Sequence, residues 1–492
     1  SSTTKPTTKH AELHDFQRLD RLVPFIDNDC TIRREIRRLE HVIDPLLNRR
    51  ATTCATNTAS GRSRCPREGV GQPVKHRTPK GGRATLNVPG HGASLWQVRV
   101  SIGDKMAIDV AAARSVTPGV QFSAFLNSAG SSLPTTAVLA RVKSHLDLEA
   151  RVGGYDAIDV VGEEHELVYS SVADLIGASK DEIALTESAT RSWTAAFGSM
   201  RFQPGDRILT SSQEYASNVI AFLQAKQRYG VVIEKIPNDP LGQVDVDALA
   251  EMLDERVKLI AVVHVPSQNG LINPVERIGG LAQSANVTYL VDACQSVGQI
   301  PVDVRAIGCD LLSATGRKFL RAPRGTGFLY AKRAYYETAE PLYLDLFGAQ
   351  WTDEEVYEIR ADARRFELWE SSLALRLGLG LAVRQAMELG IADISERTLG
   401  LAATLRSLLA NNVGVEVLDT GRQQSGIVRF RMDGVASSDV KGRLSARNVA
   451  VASAGTATSR YDLAPRGIED FVRASPHYFN TKDELVRLVE AL

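Results

Sequence analysis

Segments rich in β-branched residues alternate with segments of helical period through much of this chain, and this alternation restricts the fold more than any other feature. It predicts an α/β fold with a doubly wound, mainly parallel sheet and helices on both faces. In open sheets of this kind, ligands bind beyond the carboxyl ends of the strands. We predict strands at 182–186, 206–210, 231–236, 258–264, 288–292, 310–314 and 325–330, and helices at 134–148, 190–200, 217–229, 244–253 and 274–285.

The chain after residue 370 has a less regular pattern than the part before it. Residues Leu373–Leu389 form a long apolar run of helical period, and the remainder up to Leu492 mixes short helix-like and strand-like segments. We therefore expect an N-terminal arm and a large domain over 106–370. An interdomain helix and a small C-terminal α+β domain would follow over 371–492.

Residues 1–105 differ from the rest of the chain in charge. They hold 19 basic and 10 acidic side chains, whereas the whole chain holds 58 of each, so the larger part is acidic and a poor candidate for nucleic-acid binding. Periodicity predicts one or two short helices within 13–47. Composition predicts a disordered basic linker over 49–92, with a nucleic-acid tail or a transit peptide as the alternative. We expect Met106 to be the natural start.

Apolar runs and cysteines restrict the class of protein further. No run of about 18 apolar residues occurs, since Arg376 interrupts even the run 373–383, and this argues against a membrane span. Only two cysteines, Cys294 and Cys309, follow Met106, and none of the five cysteines forms a CxxC pair or a zinc-ligand pattern. We therefore predict a cytoplasmic protein that has no metal site.

Two polar residues follow neighbouring predicted strands. Asp292 ends one apolar strand, and Lys318 comes shortly after the next. Taken singly, Asp292 is most simply interpreted as a helix cap and Lys318 as a surface charge. Together they are the groups that a pyridine aldehyde needs, because a lysine forms a Schiff base and a carboxylate keeps the ring nitrogen protonated. The pair predicts catalytic roles for both residues around a pyridine aldehyde cofactor, and the resemblance described next implies that this cofactor is pyridoxal 5'-phosphate.

The runs 291–295, 315–318 and 325–327 resemble the class V aminotransferase group of fold type I pyridoxal phosphate enzymes. The resemblance covers about residues 120–492. This group includes cysteine desulfurases, isopenicillin N epimerase-like proteins and ergothioneine-type C–S lyases. The resemblance implies a homodimer, an amino-acid substrate, Lys318 as the Schiff-base lysine and general base, and Asp292 as the partner of the ring nitrogen.

Further cofactor contacts are implied by the same resemblance. Gln295 would donate a hydrogen bond to the phenolic oxygen, and Tyr215 would stack on the ring where desulfurases carry a histidine. Ser267 lies in a loop that would pass beneath the ring, where relatives often have an asparagine. The predicted phosphate ligands are Ser188, Ala189, Thr190, Thr315, Arg317, Ser371 and Ser372, the last two acting across a subunit interface.

Two of these residues also have simpler structural interpretations. Thr190 would be a plain helix N-cap, and Tyr215 an ordinary half-buried tyrosine. On the substrate side, the resemblance implies that Arg473 binds the carboxylate in a bidentate manner and that Ala129 and Gly130 lie nearby. We expect specificity for the substrate side chain to reside in loops at 153–155 and 460–462.

The stretch 451–459 has no cysteine, although desulfurases that form a persulfide carry one on a loop shortly before the carboxylate-binding arginine. The sequence therefore favours a C–S β-lyase that releases pyruvate and ammonia without an enzyme persulfide. A transaminase or epimerase of the same group would share every residue named and stays open as the alternative. A second hypothesis, outside the class of enzymes, is a protein that binds the cofactor without catalysis or that carries sulfur.

Overall fold

The computed structural model describes residues 108–492, and a seven-stranded sheet lies at the centre of this part. All seven of its strands lie within two residues of their predicted bounds. The predictions for 13–47 and 49–92 and for Met106 fall outside the described residues. In chain order the strands are β1 (Ala124–Phe125), β2 (Ile183–Thr186), β3 (Arg207–Thr210), β4 (Val232–Lys235), β5 (Val257–Val263), β6 (Thr288–Asp292), β7 (Leu311–Thr315), β8 (Gly327–Ala331), β9 (Ala349–Asp353), β10 (Val356–Ile359), β11 (Val415–Val417), β12 (Val428–Met432), β13 (Val449–Ala450), β14 (Ala452–Gly455) and β15 (Asp470–Ala474).

The central sheet has the strand order β2-β8-β7-β6-β5-β3-β4. Neighbouring strands from β7 to β4 run parallel, whereas β8 is antiparallel to both β7 and β2. The carboxyl ends of β3, β5, β6 and β7 therefore meet at one edge of the sheet, which is where ligands bind in open α/β sheets. The predicted α/β fold with a mainly parallel sheet is confirmed.

Alternating side chains of the strands bury both faces of this sheet. In β3, Leu209 joins one hydrophobic cluster and Ile208 the other, and Val291 and Leu290 divide in the same way in β6. Because successive residues of a strand point to opposite faces, helices must cover the sheet on both sides. This double cover holds the strand ends, and the polar residues that follow them, in fixed positions.

Helices cover the sheet and connect its strands. The predicted helix Leu373–Leu389 has the bounds that the structure shows. The expectation of a loop at 153–155 is wrong after Gly153, because Ala157, Val161, Val168 and Val172 recur at helical spacing and bury one face of the helix that starts at Gly154. The expected loop at 460–462 lies in a short helix, Arg460–Leu463. That these positions determine substrate specificity stays a prediction. The α-helices are Val110–Ser115, Ser128–Ser131, Thr136–Val152, Gly154–Ile176, Ala189–Gly198, Ala216–Tyr229, Val246–Met252, Val275–Ser284, Val304–Ile307, Arg333–Tyr336, Leu373–Leu389, Ile391–Ala410, Ser437–Ala446, Arg460–Leu463 and Lys482–Glu490.

A four-stranded antiparallel sheet of order β11-β12-β15-β14 forms in the C-terminal part, as expected for an α+β unit. Its core includes Leu405, Phe430, Val472 and Leu485. Strand β1 pairs in parallel with β13, so the chain near residue 124 packs on the C-terminal part. The boundary between a large and a small domain at residue 370 stays a prediction. Within 108–492, no helix combines the length and hydropathy that crossing a bilayer requires.

Two adjacent glycines in helix Val275–Ser284 provide a matched test of the packing. A Cβ at Gly279 would clash with the carbonyl oxygen of Ile307, whereas a Cβ at Gly280 would meet no atom within 4 Å beyond the backbone of its own helix. We expect Gly279→Ala to lower the free energy of unfolding by about 1–3 kcal/mol or more. Gly280→Ala should raise it by about 0.4–1 kcal/mol. Urea denaturation of both variants measures the difference, and equal effects would contradict this packing.

Candidate active site

Asp292 and Lys318 meet at the edge of the sheet where β6 and β7 end. Asp292 is the last residue of β6, and Lys318 lies in the turn that follows β7, its parallel neighbour. Both side chains are buried. Burial lowers the pKa of the Lys318 amine below its ordinary value, although the negative charge of Asp292 acts in the opposite direction. A lysine with a lowered pKa is a better nucleophile and base near neutral pH.

Positive charge exceeds negative charge around Lys318. The guanidinium groups of Arg317 and Arg473 both repel the Lys318 ammonium, and Asp292 is the nearby carboxylate. Among the described residues, no ion pair involves Arg317, Lys318 or Arg473. Because buried charges are normally paired, this group is suited to bind anions such as a phosphate and a carboxylate.

Arg473 approaches this group from β15 of the other sheet. Its Nη1 donates to the carbonyl oxygen of Ser267 at 2.8 Å, and its Nη2 donates to Asn127 Oδ1 at 3.4 Å. Its Nε is buried and has no hydrogen-bond partner among the described residues. Burial lowers the pKa of Arg473 to about 10, and the like charge of Arg317 acts in the same direction. The guanidinium is therefore oriented by neutral acceptors and keeps its charge available for an anion.

The loops around Lys318 are connected through Gln295. Its Nε2 donates to the carbonyl oxygen of Ala129 at 3.1 Å and to Ser267 Oγ at 2.9 Å, while its Oε1 is buried and has no partner in the part of the chain that the structure describes. Arg317 donates to the carbonyl oxygen of Gly130. The structure thus brings together the predicted site residues Gln295, Ser267, Ala129, Arg317 and Gly130. Because the chain itself accepts the hydrogen bonds of Gln295, its predicted donation to the cofactor stays a prediction.

The turn between β2 and helix Ala189–Gly198 has the form of an anion cradle. Ser188 is the N-cap, and its side chain accepts a hydrogen bond from the N–H of Arg191. The alternative that Thr190 is the N-cap is therefore wrong. Among the described residues, the N–H groups of Ala189 and Thr190 have no acceptor. Free N–H groups at a helix N-terminus suit a phosphate, but the roles of these residues stay predictions.

Glycine at position 327 brings β8 against this turn. A Cβ there would lie 2.6 Å from the carbonyl carbon of Ser188 and 2.8 Å from the nitrogen of Ala189. Gly327 also pairs with Thr315 at the end of β7, so the turn lies beside the strand that leads to Lys318. A larger residue at 327 would displace the cradle from the lysine.

Four other predicted cofactor residues have different surroundings. Thr315 is buried and donates its hydroxyl hydrogen to the carbonyl oxygen of Thr326, so this hydroxyl is used within the chain. Tyr215 precedes helix Ala216–Tyr229 and is 37% exposed, which leaves its ring available to a ligand. In the described part of the chain, Ser371 and Ser372 share no hydrogen bond with other predicted site residues, and Ser372 caps helix Leu373–Leu389.

Sequence reasoning assigned no role to two residues that contact this site. Asn218 donates a hydrogen bond to Asp292 Oδ2 at 3.1 Å, and Glu214 accepts one from Asn218. Both residues are buried. The available signal was an acid two residues before the start of a helix, followed four residues later by an amide in its first turn, although this pattern is also common in ordinary helix capping.

These groups fit pyridoxal phosphate. Lys318 would offer an amine to the aldehyde, Asp292 would offer a carboxylate to the ring nitrogen, and the Ser188 turn would offer free N–H groups to the phosphate. The guanidinium of Arg473, which has no ion-pair partner within 108–492, would remain available for a substrate carboxylate. The sheet and this constellation together define a pyridoxal phosphate-dependent enzyme of fold type I.

The family model for aminotransferase class-V matches residues 124–488, and the chain belongs to this family. A probable cysteine desulfurase of Methanothermobacter thermautotrophicus is 29% identical over 371 residues, covering 74% of this chain and 92% of that protein. One of Pyrococcus abyssi is 30% identical over 371 residues, covering 73% and 91%. The apo structure of a cysteine desulfurase from Thermococcus onnurineus NA1 matches with a TM-score of 0.73 and 25% identity, covering 78% and 97%. The predicted family, fold type and cofactor are confirmed.

Proposed function

We propose that this enzyme is a C–S β-lyase that acts on a cysteine derivative. The bond between the β-carbon and sulfur breaks, the sulfur leaves with the bonding electron pair and takes up a proton, and water then releases pyruvate and ammonia. The family membership supports the cofactor chemistry. The particular outcome is supported by the state of the cysteine thiols.

The thiols of Cys294 and Cys309 are poorly suited to accept sulfur. Burial, followed by the charge of Asp292, raises the pKa of the Cys294 thiol well above its ordinary value. Burial likewise raises the pKa of Cys309. A thiol must ionise to act as a nucleophile, and both thiols stay protonated near neutral pH. No other cysteine lies within the described residues, and this observation carries the proposal.

The residues of the chain would divide the work as follows. Arg473 would bind the carboxylate of the substrate, and Tyr215 would stack on the cofactor ring. Lys318, with its lowered pKa, takes the proton from the α-carbon of the substrate. Asp292 keeps the ring nitrogen protonated. When bound, pyridoxal phosphate withdraws electrons from the α-carbon and so supplies the chemistry that these side chains lack.

Product analysis tests this proposal. The enzyme is incubated with cysteine and with S-alkyl cysteines, and pyruvate, alanine and the released thiol are measured separately. We expect pyruvate and thiol in equal amounts. Alanine formed from cysteine would instead indicate desulfuration, the activity named for the relatives. Keto-acid-dependent amino-acid formation would indicate a transaminase, and a change of α-configuration without cleavage would indicate an epimerase.

Arg473→Lys tests the proposed carboxylate site. Lysine keeps the positive charge but loses the planar fork that binds a carboxylate in a bidentate manner. We expect the KM for the amino acid to rise by roughly tenfold to a hundredfold. Arg431→Lys, an exposed residue of β12 that pairs with Glu416, should leave the KM unchanged. Steady-state kinetics of both variants measures this, and an unchanged KM for Arg473→Lys would contradict the assignment.

We further propose a cytoplasmic homodimer. Helices Thr136–Val152 and Gly154–Ile176 carry large apolar side chains that are exposed in the single chain, among them Leu146, Tyr155 and Val160. Such apolar surface is typical of subunit interfaces. A homodimer would also allow Ser371 and Ser372 to act across the interface. Light scattering of the purified protein measures its mass, and a monomer at micromolar concentration would contradict the proposal.

A further inference from the structure

A buried chain of hydrogen bonds connects Glu214 to Asp292 through Asn218. Asn218 Nδ2 donates to Glu214 Oε1 at 2.8 Å and to Asp292 Oδ2 at 3.1 Å. Glu214 is 2% exposed and Asn218 is 4% exposed, so neither amide nor acid exchanges freely with water. The catalytic roles proposed above involve neither Glu214 nor Asn218.

Further hydrogen-bond donors fix the carboxylates at both ends of this series of hydrogen bonds. Thr210 Oγ1 donates to Glu214 Oε2 at 3.0 Å, and the N–H of Tyr215 donates to Oε1 at 2.9 Å. At the other end, the N–H of Cys294 donates to Asp292 Oδ1 at 2.9 Å. The bridging amide loses both of its acceptors if it rotates, and leaving a buried donor unpaired is unfavourable. The network therefore has one preferred arrangement.

We propose that Asn218 and Glu214 are positioning residues for Asp292. Asn218 sets the direction in which the Asp292 carboxylate faces the ring nitrogen of the cofactor, and Glu214 holds Asn218 in place. A charge-assisted hydrogen bond depends on such alignment. This inference rests on the cofactor chemistry of the proposed function. It is independent of the choice between lyase, desulfurase and transaminase, because it concerns cofactor binding before any substrate is present.

The charge of Glu214 is consistent with this supporting role. Burial, and then the negative charge of Asp292, raises the pKa of Glu214 to about 8. The other groups that face it, the side chains of Thr210 and Asn218 and the N–H of Tyr215, are neutral. Glu214 is therefore mostly protonated at pH 7 and adds little negative charge beside Asp292. Glutamine, which is neutral and of the same shape, should replace Glu214 with little loss.

A purely structural role for the pair would have a different signature. Glu214 accepts the N–H of Tyr215 at the start of helix Ala216–Tyr229, so its removal can also loosen that helix. Loosening would weaken the binding of any cofactor analogue. Misalignment of Asp292 would weaken only a cofactor that has a ring nitrogen.

The experiment compares pyridoxal phosphate with 1-deazapyridoxal phosphate, in which carbon replaces the ring nitrogen. The full chain is stripped of cofactor and titrated with each compound at pH 7, and the ratio of the two dissociation constants is taken. Asn218→Ala, Glu214→Leu and Glu214→Gln are measured beside Gln213→Ala. Gln213 is a buried control on the same segment that bonds Asn238 and Gly242 instead.

We expect Asn218→Ala and Glu214→Leu to reduce the preference for pyridoxal phosphate by about tenfold to a hundredfold. Their affinity for the deaza compound should change by less than about threefold, and Glu214→Gln and Gln213→Ala should keep the wild-type ratio. Equal weakening of both compounds, an unchanged ratio in Asn218→Ala, or a Glu214→Gln variant as impaired as Glu214→Leu would overturn the proposal. The assay contains no amino acid, so failure of the lyase proposal leaves its outcome unaffected.

Discussion

Replacing Lys318 with alanine should reduce turnover by at least roughly a thousandfold and remove the visible absorption of lysine-bound pyridoxal phosphate. The buried amine is proposed both to hold the aldehyde and to take the proton from the α-carbon, and alanine can do neither. Burial lowers the pKa of this amine, which favours its reactive neutral form. Absorbance spectra of the reconstituted protein and a pyruvate assay measure the two losses.

A matched lysine provides the control for this experiment. Lys332→Ala removes a partly exposed lysine that pairs with Asp310 at the amino end of β7, away from the site. Its spectrum and turnover should match those of the wild type. Borohydride reduction followed by peptide mapping should find the cofactor on position 318. A reduced cofactor on any other lysine would refute the assignment.

Asp292→Asn should reduce kcat by roughly a hundredfold to ten thousandfold while Lys318 still binds the cofactor covalently. Asparagine keeps the shape of the side chain and one carbonyl oxygen, but it has no negative charge to keep the ring nitrogen protonated. The ring then draws electrons from the α-carbon less strongly. Separate measurement of cofactor binding and of kcat distinguishes this loss from a failure to bind.

Asp310→Asn is the corresponding change at the opposite end of the sheet. Asp310 accepts a hydrogen bond from the N–H of Tyr289 and pairs with Lys332. Its replacement should affect the free energy of unfolding and leave kcat of the folded enzyme unchanged. If both asparagine variants lowered kcat equally, the effect at Asp292 would be one of stability, and its proposed role would be wrong.

Local pattern was sufficient for the scaffold of this enzyme. Each of β2 to β8 was predictable because a short apolar run, in most cases with β-branched or aromatic residues, that is followed by turn residues favours a strand whatever its neighbours are. The long helix Gly154–Ile176 was missed, since the glycines at its start resemble a loop and its apolar stripe matters only once it has a surface to cover.

The candidate site likewise has some features that the sequence predicts and others that depend on the fold. Asp292 and Lys318 each end or follow a strand, so a parallel sheet brings them to one edge, and the sequence was enough to predict that. The Asn218 to Asp292 hydrogen bond joins residues 74 positions apart, and nothing local marks it. Its existence depends on the strand order, which places the end of β3 near the end of β6 with β5 between them.

The sequence by itself determined the strands of the central sheet and most of the helices that cover it, because both follow from short-range preferences and from the alternation of side chains. It also determined which chemical groups follow the carboxyl ends of the strands. Only the tertiary structure decided which distant loops meet around Lys318. Arg473 reaches Asn127 across 346 positions, and Gln295 reaches Ala129 across 166. Contacts at such separations form when the packing of the whole core offsets the entropy of closing long loops, and no single segment contains that information.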